Sequence, residues 1–167
     1  ESYRRALALK PNSEGSHNNL GNAYTAQGKF DAAVEQYQQA ISLKPDFANA
    51  HLNLGLALME QGMRDRAIQC FQNAISFKPE YVEAHLNMSL GQLLSGNFEQ
   101  GWAEYEWRWQ STHMQSIKYD YKQPIWLGKE PLLGKTILLH HEQGFGDTIQ
   151  FCRYAKLVAA QGAIVLL

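Results

Sequence analysis

Small and apolar residues recur along this chain with a fixed spacing of 34 residues. Residues 14–47 and 48–81 align as two copies of one unit. The matched pairs are Gly21 and Gly55, Gly28 and Gly62, Ala33 and Ala67, Ala40 and Ala74, and Pro45 and Pro79. A constant period of this size indicates stacked units, none of which buries its apolar face alone.

Each unit is predicted to be a hairpin of two helices. The expected ranges are about 14–27 and 31–44 in the first unit, and about 48–61 and 64–78 in the second. Asn12 or Ser13 should cap the first helix. Gly28 should end that helix, because glycine adopts the left-handed conformation at little cost, and Pro45 prevents the second helix from continuing.

Residues 82–113 begin as a third copy and then depart from the pattern. Gly96 marks the turn, but Arg108 replaces a small residue, and tryptophans crowd the last helix at positions 102, 107 and 109. Ordinary cap packing and docking on a partner both fit this composition. Residues 1–10 match the second helix of a unit without its first helix, which predicts the cut edge of a longer solenoid.

The repeated positions identify a known pattern. Leu20, Gly21, Tyr24, Gly28, Ala33, Tyr37, Ala40 and Pro45 follow the tetratricopeptide motif. Residues 1–113 therefore resemble tetratricopeptide repeat proteins. The resemblance implies a mainly α fold, an α-α solenoid of three full repeats plus a trailing helix, whose concave groove takes a protein or peptide.

Asparagines recur at that spacing on the first helix of each unit, at positions 19, 53 and 87. An amide both donates and accepts hydrogen bonds, so a ladder of asparagines can hold an extended peptide backbone. This arrangement resembles the asparagine ladder of O-GlcNAc transferase repeats. Asn22, Leu56 and Leu90 are assigned to the same groove. The alternative is that the asparagines bridge neighbouring repeats.

Histidines also recur at that spacing, at positions 17, 51 and 85. Equivalent positions in neighbouring repeats lie roughly 10 Å apart, which is one helix diameter. One zinc ion, with Zn–N bonds of about 2.0–2.1 Å, cannot bind two of them. We expect these histidines to serve packing, and we assign no metal site and no cofactor.

The chain changes character after residue 113. Residues 114–135 contain prolines and glycines without helical period, which predicts an ordered linker. Residues 136–167 read as a buried strand, a glycine turn, a helix and a second buried strand. That order predicts the opening β-α-β unit of an incomplete Rossmann-like sheet.

Residues 101–109 and 124–163 together resemble bacterial proteins that join tetratricopeptide repeats to a glycosyltransferase family 9, heptosyltransferase-like domain with a GT-B fold. The resemblance implies that Asp147 is the general base for an acceptor hydroxyl; the alternative is a plain helix N-cap. Gly144, Gly146 and His141 would line the substrate crevice. A dinucleotide fingerprint is absent, because its third glycine would fall at Ile149.

Composition makes some classes of function unexpected for this chain. With 15 basic and 16 acidic residues, the chain is not expected to bind nucleic acid. No apolar run is long enough to span a membrane, and the two cysteines lack CxxC spacing, so we expect a cytoplasmic protein with reduced thiols. We expect a peptide-binding scaffold. The alternatives are a glycosyltransferase in a longer parent protein, this chain alone being inactive, and self-assembly, including a homodimer, through open repeat ends.

Overall fold

The computed structural model describes residues 12–117, 122–140 and 144–167. The chain divides into two compact units, Glu1–Gln115 and Ser116–Leu167. The predicted cut edge at residues 1–10 lies outside the described residues.

The first unit is a series of antiparallel helical hairpins, as the sequence predicts. Its helices are α1 (Glu14–Thr25), α2 (Phe30–Leu43), α3 (Ala48–Glu60), α4 (Arg64–Phe77), α5 (Val82–Leu94) and α6 (Phe98–Tyr105), and a short helix α7 (Thr112–Ile117) crosses the boundary to the second unit. The predicted bounds of α1 to α4 are correct to within two residues. Consecutive helices pack together, and α3 also contacts α1 and α5. The unit is therefore a mainly helical solenoid.

The helix ends follow from local chemistry. The Ser13 side chain caps α1 by accepting a hydrogen bond of 3.2 Å from the backbone N–H of Ser16. The turn inside each hairpin contains a glycine with positive φ: +69° at Gly28, +74° at Gly62 and +82° at Gly96. Side-chain-bearing residues rarely adopt this conformation, so the repeated glycine fixes where each hairpin turns.

An aromatic ring lying on a glycine holds each of the first two hairpins together. Tyr37 is 2% exposed and Phe71 is 0% exposed. A Cβ added to Gly21 would lie 2.5–2.9 Å from three carbons of the Tyr37 ring, and one added to Gly55 would meet the Phe71 ring in the same way. The glycines therefore let the rings reach the backbone of the facing helix. The alanines at positions 33, 40, 67 and 74 are fully buried beside them.

In the third hairpin the glycine at the helix crossing, Gly101, lies on the second helix of the pair and not on the first. Ser89 takes the place of Gly21 and Gly55, and its hydroxyl donates to the Gly101 carbonyl at 2.9 Å. A Cβ on Gly101 would lie 2.7 Å from two side-chain atoms of Leu93. The aromatic residue at the matching position, Tyr105, is 39% exposed. The glycine and the aromatic ring no longer meet, so this hairpin packs differently.

Helix α6 is shorter than the sequence suggested, since Trp107 and Trp109 were expected to lie on it. It ends at Tyr105 and continues as a 3₁₀ helix over Glu106–Gln110. Arg108 occupies the position that alanine fills in the earlier repeats, and its guanidinium packs 4.6 Å from the Tyr105 ring and 4.8 Å from the Trp109 ring. A side chain of that size cannot enter the helix crossing. The short helix α7 then overlaps the start of the predicted linker.

The second unit contains two short parallel strands joined through helices. Strand β1 (Thr136–Leu138) pairs with β2 (Ile164–Leu166), with Thr136 opposite Ile164. Between them lie α8 (Phe145–Phe151), a 3₁₀ turn (Cys152–Tyr154) and α9 (Ala155–Ala160). The order of elements is the predicted β-α-β, but each strand has only three residues.

Gly55→Ala tests the contact between ring and glycine. The new methyl group would clash with the buried Phe71 ring, and overpacking of this kind costs about 1–3 kcal/mol. Alanine recovers part of that by its higher helix propensity, so we expect urea denaturation to give about 1–2 kcal/mol of net destabilisation. Gly15→Ala is the control, because no atom lies within 4 Å of its added Cβ. Equal stability of the two variants would contradict the packing described.

Candidate functional site

A network of polar side chains joins the first two repeats on the faces of α1 and α3. The Asn53 amide nitrogen donates to the side-chain oxygens of Asn18, at 3.0 Å, and Asn22, at 3.1 Å. The Tyr37 hydroxyl also donates to the Asn22 oxygen, at 2.8 Å. That hydroxyl lies 3.0 Å from the Thr25 hydroxyl, which donates to it. The network therefore runs from Thr25 through Tyr37 and Asn22 to Asn53.

These bonds fix the orientation of two amides. The Asn22 oxygen accepts two hydrogen bonds, from Tyr37 and Asn53, so its NH₂ group is the part left for another molecule. The Asn53 NH₂ group makes both of its donations inside the network, which leaves its oxygen as an acceptor. Within the described residues, neither remaining group has a protein partner. One donor and one acceptor are thus presented side by side.

Burial raises the pKa of the Tyr37 phenol above its ordinary value, and the hydrogen bond from Thr25 acts in the opposite direction. The hydroxyl therefore keeps its proton at neutral pH. It can serve as the fixed donor that orients Asn22.

These side chains line a cavity of about 260 Å³. We call it the asparagine pocket; its residues are Asn22, Thr25, Ala26, Tyr37, Asn53 and Leu56. Three residues assigned to a groove from the sequence, Asn22, Asn53 and Leu56, therefore meet in one place. Thr25 and Tyr37 were not assigned to the groove from the sequence, where Tyr37 was only a position of the repeat motif. The signal for them was a difference between repeats, since Asn22 with Tyr37 becomes Leu56 with Phe71 in the second copy.

The three asparagines at equivalent positions do not behave alike. Asn19 is exposed, and Asn87 is half-buried with its NH₂ group donating to the Glu83 carbonyl of its own helix at 2.8 Å. The partners available to Asn53 in the previous repeat are asparagines, whereas the matching residues before Asn87 are Leu52 and Leu56. Leucine cannot accept a hydrogen bond, so Asn87 turns to its own backbone. Asn19, Asn87 and the exposed Leu90 do not line the asparagine pocket.

A second, more open cavity of about 490 Å³ lies where α3 ends. It is lined by Gly28, Lys29, Phe30, Asp31, Ala32, Glu60 and Gln61. The Gln61 amide donates to Asp31 at 2.7 Å, and the Lys29 ammonium donates to Gln27 at 2.9 Å. Glu60 is exposed and has no ion-pair partner among the described residues. The cavity therefore presents one more negative charge than positive charge.

Two of the three recurring histidines, His51 and His85, tie their repeat to the turn before it. The Nε2 atoms of His51 and His85 donate to the carbonyls of Pro45 and Pro79, both at 2.8 Å. His17 lies 2.9 Å from the Gln36 side chain. These contacts are structural, in agreement with the packing role expected from the sequence.

His85 is also part of a cluster in the third hairpin. Its Nδ1 atom bonds to the Glu104 carboxylate, and the Trp107 ring stacks on it with 3.9 Å between centroids and an angle of 8°. Trp107 reaches this position because α6 ends at Tyr105 and the chain continues as a 3₁₀ helix. Part of the tryptophan-rich segment therefore packs within its own repeat.

Cysteine chemistry adds no reactive site in the first unit. Cys70 is buried, and burial raises the pKa of its thiol to about 11 although Arg66 acts in the opposite direction. The thiol is therefore protonated and unreactive at neutral pH. Cys152 in the second unit is exposed.

The glycine turn of the second unit begins α8. Gly144 is the N-cap, with φ of +55°, and its carbonyl accepts from the N–H and hydroxyl of Thr148 at 3.3 and 3.0 Å. Gly146 is exposed with no atom within 4 Å of an added Cβ. Asp147 is the third residue of α8, so the N-cap interpretation of Asp147 is wrong. Its side chain, like all of His141, lies outside the described residues.

Neither a helix with the length and apolarity of a membrane span nor a group of three or more potential metal-binding side chains occurs among residues 12–117, 122–140 and 144–167.

Family models of tetratricopeptide repeats match residues 1–81 of this chain. A family model described as "TPR repeat" matches residues 1–28 and 21–62, and one described as "Tetratricopeptide repeat" matches residues 48–81. The fold therefore defines the class of helical repeat proteins. A comparison with curated proteins gave no significant match.

Solved structures share this fold. A structure described as "Crystal structure of MamA" is 24% identical, with a TM-score of 0.63, and the match covers 69% of this chain and 67% of that one. A second MamA structure is 23% identical with a TM-score of 0.61, covering 74% of this chain and 66% of that one. This chain thus spans about two thirds of the MamA chains.

A third similar structure has a bound peptide. It is described as "Second TPR of Spaghetti (RPAP3) bound to HSP90 peptide SRMEEVD". It is 20% identical, with a TM-score of 0.56, and the match covers 60% of this chain and 94% of that one. At this level of identity the likeness shows a common fold and no more.

Asn53→Ala tests the unequal roles of the asparagines. The change removes two hydrogen bonds between repeats, each of which contributes about 0.5–1.5 kcal/mol. We expect the free energy of unfolding, measured in urea, to fall by about 1–2 kcal/mol. Asn19→Ala and Asn87→Ala are matched controls and should change it by less than about 0.5 kcal/mol, as surface substitutions do. Equal losses at all three positions would contradict the network.

Proposed function

We propose that this chain is a scaffold whose first repeats bind an extended segment of another protein. The observation that carries the proposal is the pair of oriented amides: Asn22 and Asn53 line the same pocket, and their bonds leave the Asn22 NH₂ group and the Asn53 oxygen unused. A peptide bond presents one C=O and one N–H, so the pair matches its hydrogen-bonding groups. Leu56 and Ala26 supply apolar surface for a neighbouring side chain.

The preorganisation of the amides supports this function. Tyr37 and Asn53 hold the Asn22 oxygen, so the Asn22 amide loses little conformational freedom when a ligand arrives. Less ordering of a site on binding leaves more of the contact energy as affinity. Asn19, Asn87 and Leu90 belong to the proposal as extensions of the same binding face along the repeats.

Asn22→Leu tests the proposal, because leucine stands at the matching position of the second repeat. The side chain cannot donate to a peptide carbonyl, and the ligand's carbonyl would be left unpaired at a cost of about 1–3 kcal/mol. We expect peptides selected on the native chain to bind about tenfold more weakly, as measured by isothermal titration calorimetry. Gln38→Ala, at an exposed position on α2, should leave the affinity unchanged. Unchanged binding to Asn22→Leu would overturn the proposal.

A glycosyltransferase role is proposed for a longer parent protein. It is supported by the β-α-β order of the second unit and by the position of Asp147 in the first turn of α8, after strand β1. Asp147 would act as general base, with Gly144, Gly146 and His141 at the crevice. Sugar transfer from nucleotide-sugar donors should be lost in the Asp147→Asn form of the longer protein, and this chain alone should show none. Full turnover by Asp147→Asn would reject the role.

Self-association is the remaining proposal, and one surface feature favours it. Phe98, Trp102 and Tyr105 are exposed on one stripe of α6, with Leu94 nearby in sequence. Exposed apolar stripes of this kind occur at interfaces between proteins. Sedimentation velocity should show dimers at high concentration, and a monomer throughout would exclude it.

A further inference from the structure

The first helices of the three hairpins, two of which line the asparagine pocket, contain no lysine or arginine. Helices α1, α3 and α5 lack lysine and arginine entirely, whereas Glu14, Glu60 and Glu83 lie on them. Each basic side chain from residue 12 to 110 lies elsewhere, in a turn, on α4 or in the final 3₁₀ segment. A ligand on these faces therefore meets neutral amides and carboxylates.

The nearest open charge lies beside the pocket. Leu56 lines the asparagine pocket and Glu60 lines the second cavity, and these residues are four apart on α3, about 6 Å along the helix axis. Asp31 is held by the Gln61 amide, and Lys29 donates to Gln27. Of the two carboxylates that line the second cavity, Glu60 is the one with no partner among the described residues. A segment passing from the pocket towards the second cavity comes within reach of it.

A terminal carboxylate or an acidic side chain would be poorly accommodated here, because Asp31 and Glu60 outnumber Lys29, the one cation that lines the second cavity. Such groups need a cation or several N–H donors when they lose water. The peptide SRMEEVD, which the RPAP3 structure binds, carries three acidic side chains and a terminal carboxylate. The likeness in fold to that structure therefore does not extend to a ligand of that charge.

We propose that the segment bound in the asparagine pocket is an internal, extended stretch of a partner protein that carries a lysine or arginine facing Glu60. Glu60 is then the residue that determines specificity for charge, and the amides of Asn22 and Asn53 hold the neutral backbone. The proposal rests on the peptide-binding function proposed above and adds the chemistry of the ligand.

A peptide library tests the proposal. Capped random peptides of about ten residues, roughly 30 Å when extended, are selected on the native chain and sequenced. Lysine and arginine should be enriched over aspartate and glutamate, and SRMEEVD should not compete. For a selected peptide, Glu60→Gln should weaken binding about two- to fivefold, as expected for an exposed ion pair. The difference in affinity between the native chain and Glu60→Gln should disappear in about 1 M salt, where the Debye length is roughly 3 Å.

Glu80→Gln is the matched control, since Glu80 is exposed in the turn between α4 and α5; it should leave affinity unchanged. Glu60→Lys should shift selection towards acidic peptides. If no peptide is selected on the native chain, the binding function itself is overturned. If acidic peptides are selected, or the basic preference persists in Glu60→Gln, binding stands and the assignment of charge specificity to Glu60 is overturned.

Discussion

The contact between the Tyr37 ring and the Gly21 backbone governs both the fold and the site. The glycine allows the ring to reach the facing helix, which sets the distance between the two helices of the first hairpin. The hydroxyl at the end of the same ring donates to Asn22. One buried side chain therefore packs the hairpin and orients an amide that faces solvent. In the second hairpin Phe71 performs the packing alone, and the residue at the position of Asn22 is Leu56.

The two junctions between repeats consequently differ in character. Asparagines join the first and second repeats, where Asn53 bonds across to Asn18 and Asn22. Leucines occupy the corresponding positions at the second junction, so Asn87 bonds within its own helix. Amides that are held in place and keep one hydrogen-bonding group without a partner suit recognition of a peptide backbone. The leucines mainly add apolar contact. The binding face is thus polar at one junction and apolar at the next.

The period of 34 residues was enough to predict the hairpins and their turns at Gly28, Gly62 and Gly96, because these features depend on backbone conformation. It was not enough for the asparagines. Whether Asn53 or Asn87 bonds to a neighbouring repeat depends on the residues one repeat earlier, and a pattern of identical positions hides that difference. The position where α6 ends was also not predicted. The helix ends early because Arg108 is too large for the helix crossing and because Trp107 stacks on His85.

The most direct test of the account is the peptide affinity of Tyr37→Phe. This substitution keeps the ring on Gly21 and removes only the hydroxyl, so the hairpin should remain folded and lose about 0.5–1.5 kcal/mol of stability. With the Asn22 oxygen then held by Asn53 alone, calorimetry should show binding of selected peptides weakened about two- to tenfold. Native affinity in a folded Tyr37→Phe protein would contradict the claim that this side chain links the packing of the repeat to its binding site.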